Sequence, residues 1–131
     1  MSPDETRARL NPPEGTWHIA GRSSLGPDDP RPRFDILEVE LENYVSSGVR
    51  GKLKLVFFNN RLYKTQFFAS DISKLIEYLK EKNGVVMIGE ITSLPPRTAI
   101  SIGISVDAQQ YVLFRDSYLQ DEIDCWIQKY S

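Results

Sequence analysis

The sequence predicts an α+β fold, a twisted antiparallel sheet of about six or seven strands with two helices packed on one face. Three observations lead there. Apolar and polar residues alternate with period two over residues 37–42, 52–58, 62–68 and 100–106, the mark of strands with one buried face. Apolar residues recur at helical spacing over 70–84 and 117–130. The links between strands are short, which favours antiparallel neighbours.

Residues 1–13 read as a flexible N-terminal tail and 14–131 as a single α+β domain. Six of the eight prolines lie before Phe34, and the run Gly26-Pro-Asp-Asp-Pro-Arg-Pro-Arg33 holds neither a helix nor a central strand. Within this region only 15–21 suits a strand, leaving 22–33 as an extended loop. Leu37, Val39 and Leu41 then alternate with Glu38, Glu40 and Glu42. Pairing this strand with 52–58 around Ser47 sets Glu42 opposite Lys52 and Glu40 opposite Lys54, a cross-strand charge ladder.

Asn59-Asn60 marks a hairpin, because asparagine tolerates the left-handed conformation of tight turns. A plain two-residue loop would set Leu55 opposite Lys64 and Leu53 opposite Gln66, mixing core and solvent positions. A three-residue loop, Asn59-Asn60-Arg61, with a bulge at the turn pairs Phe57 with Tyr63, Leu55 with Thr65 and Leu53 with Phe67. A one-residue slip reverses every side chain, so the three-residue loop is the expectation.

The 70–84 helix has Ser70 or Asp71 as N-cap and Gly84 past its end. Residues 85–92 read as a strand ended by Pro95-Pro96, and Ile100, Ile102, Ile104 and Val106 define another, returning through 111–114. Ser117 and Gln120 match a capping box, followed by Leu119, Ile123, Trp126, Ile127 and Tyr130 along one helix face.

Composition narrows the function. With 16 basic and 18 acidic residues the net charge is −2, so no whole-molecule attraction to nucleic acid or anionic membrane is expected. No apolar run reaches the ~20 residues of a membrane helix, and residues 1–7 have no signal-peptide core. The single cysteine excludes an internal disulfide. A soluble chain with a slight lean to the cytoplasm is expected; a periplasmic one whose leader was removed would look the same.

No metal or cofactor is expected. His18 and Cys125 are the only residues of their types and lack ligand spacing. Asp28-Asp29 reads as a solvated loop. Cys125, on an amphipathic helix, reads as a structural residue, since nothing brings His18 to it as a base. No phosphate-cradling loop or nucleophile elbow occurs, and the chain leans away from an enzyme.

The leading expectation is a non-catalytic protein-binding module, of adaptor or inhibitor type, acting on another protein or on its own copy through a sheet and hairpin surface. With the core positions filled by Leu53, Leu55, Phe57, Tyr63 and Phe67, the residues Val56, Phe58, Asn59, Asn60, Arg61 and Leu62 should form an outward apolar patch with an arginine. Its structural counterpart is a cover supplied by the segment around Trp17. The acidic residues Asp121, Glu122 and Asp124 either complement the helix dipole or meet a basic partner.

Two alternatives come from other classes. One is a small-ligand-binding protein or enzyme with a pocket between sheet and helices, with candidates Trp17, His18, Tyr63, Tyr111 and Arg115. The other is nucleic-acid contact through a basic hairpin, where Arg50, Lys52, Lys54, Arg61 and Lys64 are interleaved with Phe57, Phe58, Tyr63, Phe67 and Phe68.

Overall fold

The structure, a computed structural model, describes residues 2–46, 49–71, 73–74, 77, 91–94, 98–104 and 109–131. In chain order these form helix α1 (Pro3–Leu10), strands β1 (His18–Ser23), β2 (Ile36–Ser46), β3 (Val49–Phe58), β4 (Arg61–Ala69), β5 (Ile91–Leu94), β6 (Thr98–Ile104) and β7 (Gln110–Asp116), and helix α2 (Ser117–Tyr130). The strands lie in the order β1-β2-β3-β4-β7-β6-β5, each antiparallel to its neighbour. The α+β class and the antiparallel sheet are as predicted. Of the six or seven strands expected, five (β1 to β4 and β7) have described side chains, and the packing below concerns them.

One face of the sheet carries the main core. Val39, Leu41, Leu53, Leu55, Phe57, Phe67 and Val112 pack there with Val49, and Leu37, Tyr44, Leu62 and Phe114 border them. The alternation on β2 and β3 dictates this, since Val39 pairs with Leu55 and Leu41 with Leu53. Beyond Leu41 the pairing skips, and Tyr44 becomes the partner of Gly51. The surplus residue is accommodated at Asn43, whose φ of 55° lies in the left-handed region that asparagine accepts. Gly51 faces Ala69 across β3 and β4. A Cβ there would strike the Phe68 carbonyl oxygen and lie 2.9 Å from Ala69 Cα.

The hairpin register is half as expected. Leu55 pairs with Thr65 and Leu53 with Phe67, as predicted. The loop, however, has two residues: Phe58 pairs with Arg61 across Asn59 (φ 47°) and Asn60 (φ 65°), both left-handed as a tight hairpin turn requires. The surplus residue is Tyr63, bulged between Leu62 (paired with Phe57) and Lys64 (paired with Val56). Tyr63 therefore does not oppose Phe57 in the core, and Leu62 takes that place.

Residues 1–13, expected as a tail, hold helix α1. Ser2 and Glu5 form a reciprocal capping box, Pro3 opens the first turn and Asn11 closes the last in the left-handed conformation. Thr6 is buried, and Leu10 and Trp17 pack on the main core. The first strand begins at His18, later than predicted, because Trp17 turns inward to this core. Helix α2 lies on the opposite face, so the described helices do not share one face. Asp116 caps α2, accepting from the N–H groups of Tyr118 and Leu119 at 3.0 and 3.2 Å, in place of the expected Ser117.

Of the predicted 70–84 helix, Ser73, Lys74 and Glu77 are helical and Asp71 accepts from the Lys74 N–H at 3.1 Å. Its remainder, and most of the predicted 85–92 strand, lie outside the described residues. Among the described residues, no helix is long and apolar enough to cross a membrane.

Gly51→Ala should lower stability by about 1–3 kcal/mol, since backbone rather than a yielding side chain meets the added methyl. Urea unfolding monitored by circular dichroism measures the loss.

Candidate functional site

The hairpin turn and helix α2 meet on the face opposite the main core. The alternation that sends Phe57 inward sends Val56 and Phe58 to this face. There they are buried, 5% and 3% exposed, rather than forming an outward patch. The cover is not the Trp17 segment. It is α2, whose Leu119 and Ile123 are buried, together with Phe34. Phe34 stacks edge-on against Phe58 at 5.2 Å and lies 4.5 Å from Trp126 between ring centroids.

The other predicted contact residues hold this closure in place. Asn59 bridges back to the strap preceding β2. Its Oδ1 accepts from the Asp35 N–H at 2.8 Å, its Nδ2 donates to the Arg33 carbonyl at 3.1 Å, and its own N–H donates to the Asp35 carbonyl at 3.0 Å. Arg61 forks onto Glu122 of α2, with Nη2 to Oε2 at 2.6 Å and Nη1 to Oε1 at 3.3 Å, and its guanidinium sits 5.6 Å over the Phe58 ring. Of the acidic residues on α2, Glu122 thus meets a basic partner, Arg61 of the same chain. Asn60 is exposed at the turn and Leu62 is half-buried beside the main core.

The strap itself is fastened to α2. The Trp126 indole N–H donates to the Pro32 carbonyl at 2.9 Å, Arg31 Nη1 donates to the Tyr130 carbonyl at 3.1 Å, and the Arg31 guanidinium lies 5.2 Å from the Trp126 ring. Asp29 holds Arg31 with contacts at 2.6 and 2.9 Å. The Arg31 side-chain hydrogen bonds, and then its backbone N–H, lower the Asp29 carboxyl from an ordinary 3.8 to about 2. Between strap and helix runs an open groove of about 300 Å³ lined by Arg33, Phe58, Trp126, Lys129 and Tyr130 among others. On α2, Ile127 and Tyr130 are 47% and 42% exposed. These residues form the outer layer that replaces the expected patch.

The remaining candidates are scattered. Trp17 belongs to the main core, with Arg7 stacked on it at 5.6 Å, and exposed His18 pairs with Glu40 across β1 and β2. Tyr111 packs against Phe68 at 5.1 Å. Tyr63 and Arg115 do come together at one cleft, beside Lys64. The charge ladder stands in part: Glu40 pairs with Lys54 and contacts it at 3.5 Å, but the bulge after Leu41 takes Glu42 out of register with Lys52, which contacts Glu40 at 3.3 Å and reaches Glu42 only at 3.9 Å. This neutralises two of the cations that a nucleic-acid surface would have used. Cys125 is an exposed free thiol, and no cluster of potential metal ligands occurs among the described residues.

Phe58→Asp should cost at least about 4 kcal/mol, the sum of a lost aromatic in the packed interior and a buried carboxylate, and so unfold much of the population. Loss of near-ultraviolet circular dichroism reads this out. The Asp29–Arg31 contact should persist through mild acid. Asp29 is lowered in the folded chain, so its contribution is complete above 3.8 and is lost as pH falls through about 2. Carboxyl-carbon NMR titration should place its midpoint near 2, returning toward 3.8 in Arg31→Ala.

No protein-family model matches the chain, and no curated protein matches it in sequence.

Proposed function

We propose that the chain is a non-catalytic binding module that contacts another protein, or a second copy of itself, through the surface where α2 closes over the hairpin turn. The reading keeps the expected location and moves the contact one layer outward, from Phe58 to the helix residues above it. The observation that carries it is the exposure of Ile127 and Tyr130, neighbours one turn apart on α2, beside a groove containing Trp126, Arg33 and Lys129.

Physical chemistry supports the choice. Aromatic side chains and arginine bury large area for little lost rotamer freedom, and they dominate the energetics of protein contacts. Trp126 is already held by the Pro32 carbonyl, and Arg31 by Asp29 and the Tyr130 carbonyl, so their ordering is complete before a partner arrives. The rim is charged, with Arg33 bound to Asp35 at 2.7 Å and Lys129 beside the groove, which suits a polar border around an apolar centre.

The double variant Ile127→Asp, Tyr130→Ala tests the reading. Both side chains are exposed, so the melting temperature should shift by less than a few degrees. Affinity capture from the source lysate should retain a protein with the unmodified chain and lose it with the variant. Sedimentation velocity should report the same loss if the partner is a second copy. Equal retention by both chains, or unchanged sedimentation with no retained protein, would rule the surface out.

A further inference from the structure

The geometry points to a small-oxyanion site, for a phosphate or carboxylate group, built by Lys64 of β4 and Arg115 of β7 on the face that α2 covers. It is separate from the groove between strap and helix, so the two readings stand or fall independently. Lys64 and Arg115 are directly paired across β4 and β7. Both are half-buried and border a cleft of about 140 Å³, with Tyr63 and Asp116 also on its wall.

Like charges set directly opposite on a sheet are destabilising, more so when partly removed from water. The usual remedy is a carboxylate in contact. Arg31, Arg33, Lys52, Lys54 and Arg61 each have one. Among the described residues Lys64 and Arg115 have none. Arg115 Nε is sealed from solvent with no acceptor. The leading cost at Lys64 is its burial, which pushes the ammonium below its ordinary value; Glu38 opposes the shift, and Arg115 and Lys54 add to it. A group that supplies acceptor oxygens between these two cations would cancel the repulsion.

The cleft matches such a ligand in size and chemistry. About 140 Å³ is the share of four or five liquid waters, at roughly 30 Å³ each, enough for an oxyanion head group. Burial raises the Tyr63 phenol above its ordinary value, with Glu38 and Asp124 adding and Arg115 opposing, so its hydroxyl stays protonated as a donor. Asp116 is engaged at the cleft rim, with Oδ1 accepting from the first turn of α2.

Isothermal titration of the full chain with sodium phosphate and, separately, sodium acetate tests the site at a constant ionic strength of about 0.15 M held with chloride. Saturable binding of either anion is expected. Phosphate alone would mark a phosphate-bearing ligand; acetate binding as tightly would mark a carboxylate. Lys64→Met keeps the stem and removes the charge. It should melt no lower than the unmodified chain without anion and bind the preferred anion at least about tenfold more weakly. Lys64→Arg should retain binding within a few-fold. Absence of saturable binding for both anions, or undiminished affinity in Lys64→Met, would overturn the assignment.

Discussion

Two demands on the β3–β4 hairpin conflict, and one residue reconciles them. The Asn59-Asn60 turn sets Phe58 opposite Arg61 and Phe57 opposite Leu62. Continued without interruption, that register would bring Lys64 to Leu55 and Gln66 to Leu53, placing polar side chains against the core. Bulging Tyr63 out of the ladder restores Leu55 to Thr65 and Leu53 to Phe67. The core of β2, β3, β4 and β7 depends on this offset. The same bulge puts Lys64 opposite Val56, and so Lys64 with its β7 partner Arg115 lies on the face away from the core.

The second face is closed differently. Val56, Phe58, Leu119 and Ile123 make a smaller apolar layer, with Phe34 and Trp126 at its margin. Burying a side chain such as Phe58 is worth roughly 1.5–3 kcal/mol. The Arg61–Glu122 bridge is exposed at both ends and adds at most about 1 kcal/mol. Apolar burial therefore holds α2 down, while the fork of Arg61 and the hydrogen bond from Trp126 to Pro32 set where along the hairpin it rests. That placement leaves Ile127 and Tyr130 facing outward beyond the edge of the layer.

Much of this was legible where the signal is local. Alternation on β2 placed Glu40 against Lys54, and the helical spacing after Asp116 marked α2. Helix α1 was legible too, though unread: Ser2-Pro-Asp-Glu5 is a capping box with proline at the first position, a stronger signal than the concentration of prolines before Phe34. The hairpin turn carried its own cue in two adjacent asparagines. The need for one extra residue was also deducible. Its place was not, because a bulge at the turn and a bulge at Tyr63 restore the same register further along the strands.

By itself, then, the sequence determined the α+β class, the faces of β2 and β3, the Leu55–Thr65 register and the Glu40–Lys54 pair, since each follows from period, turn chemistry and neighbours close in the chain. Only the tertiary structure decided which face each helix covers. Phe58 looked exposed because its cover, Phe34 and α2, is brought there by long-range packing that leaves no local pattern. The pairing of Lys64 with Arg115 is likewise a product of strand order, as β7 comes to lie beside β4 across forty intervening residues. Periodicity states which way a side chain points; the assembled sheet alone states what it meets.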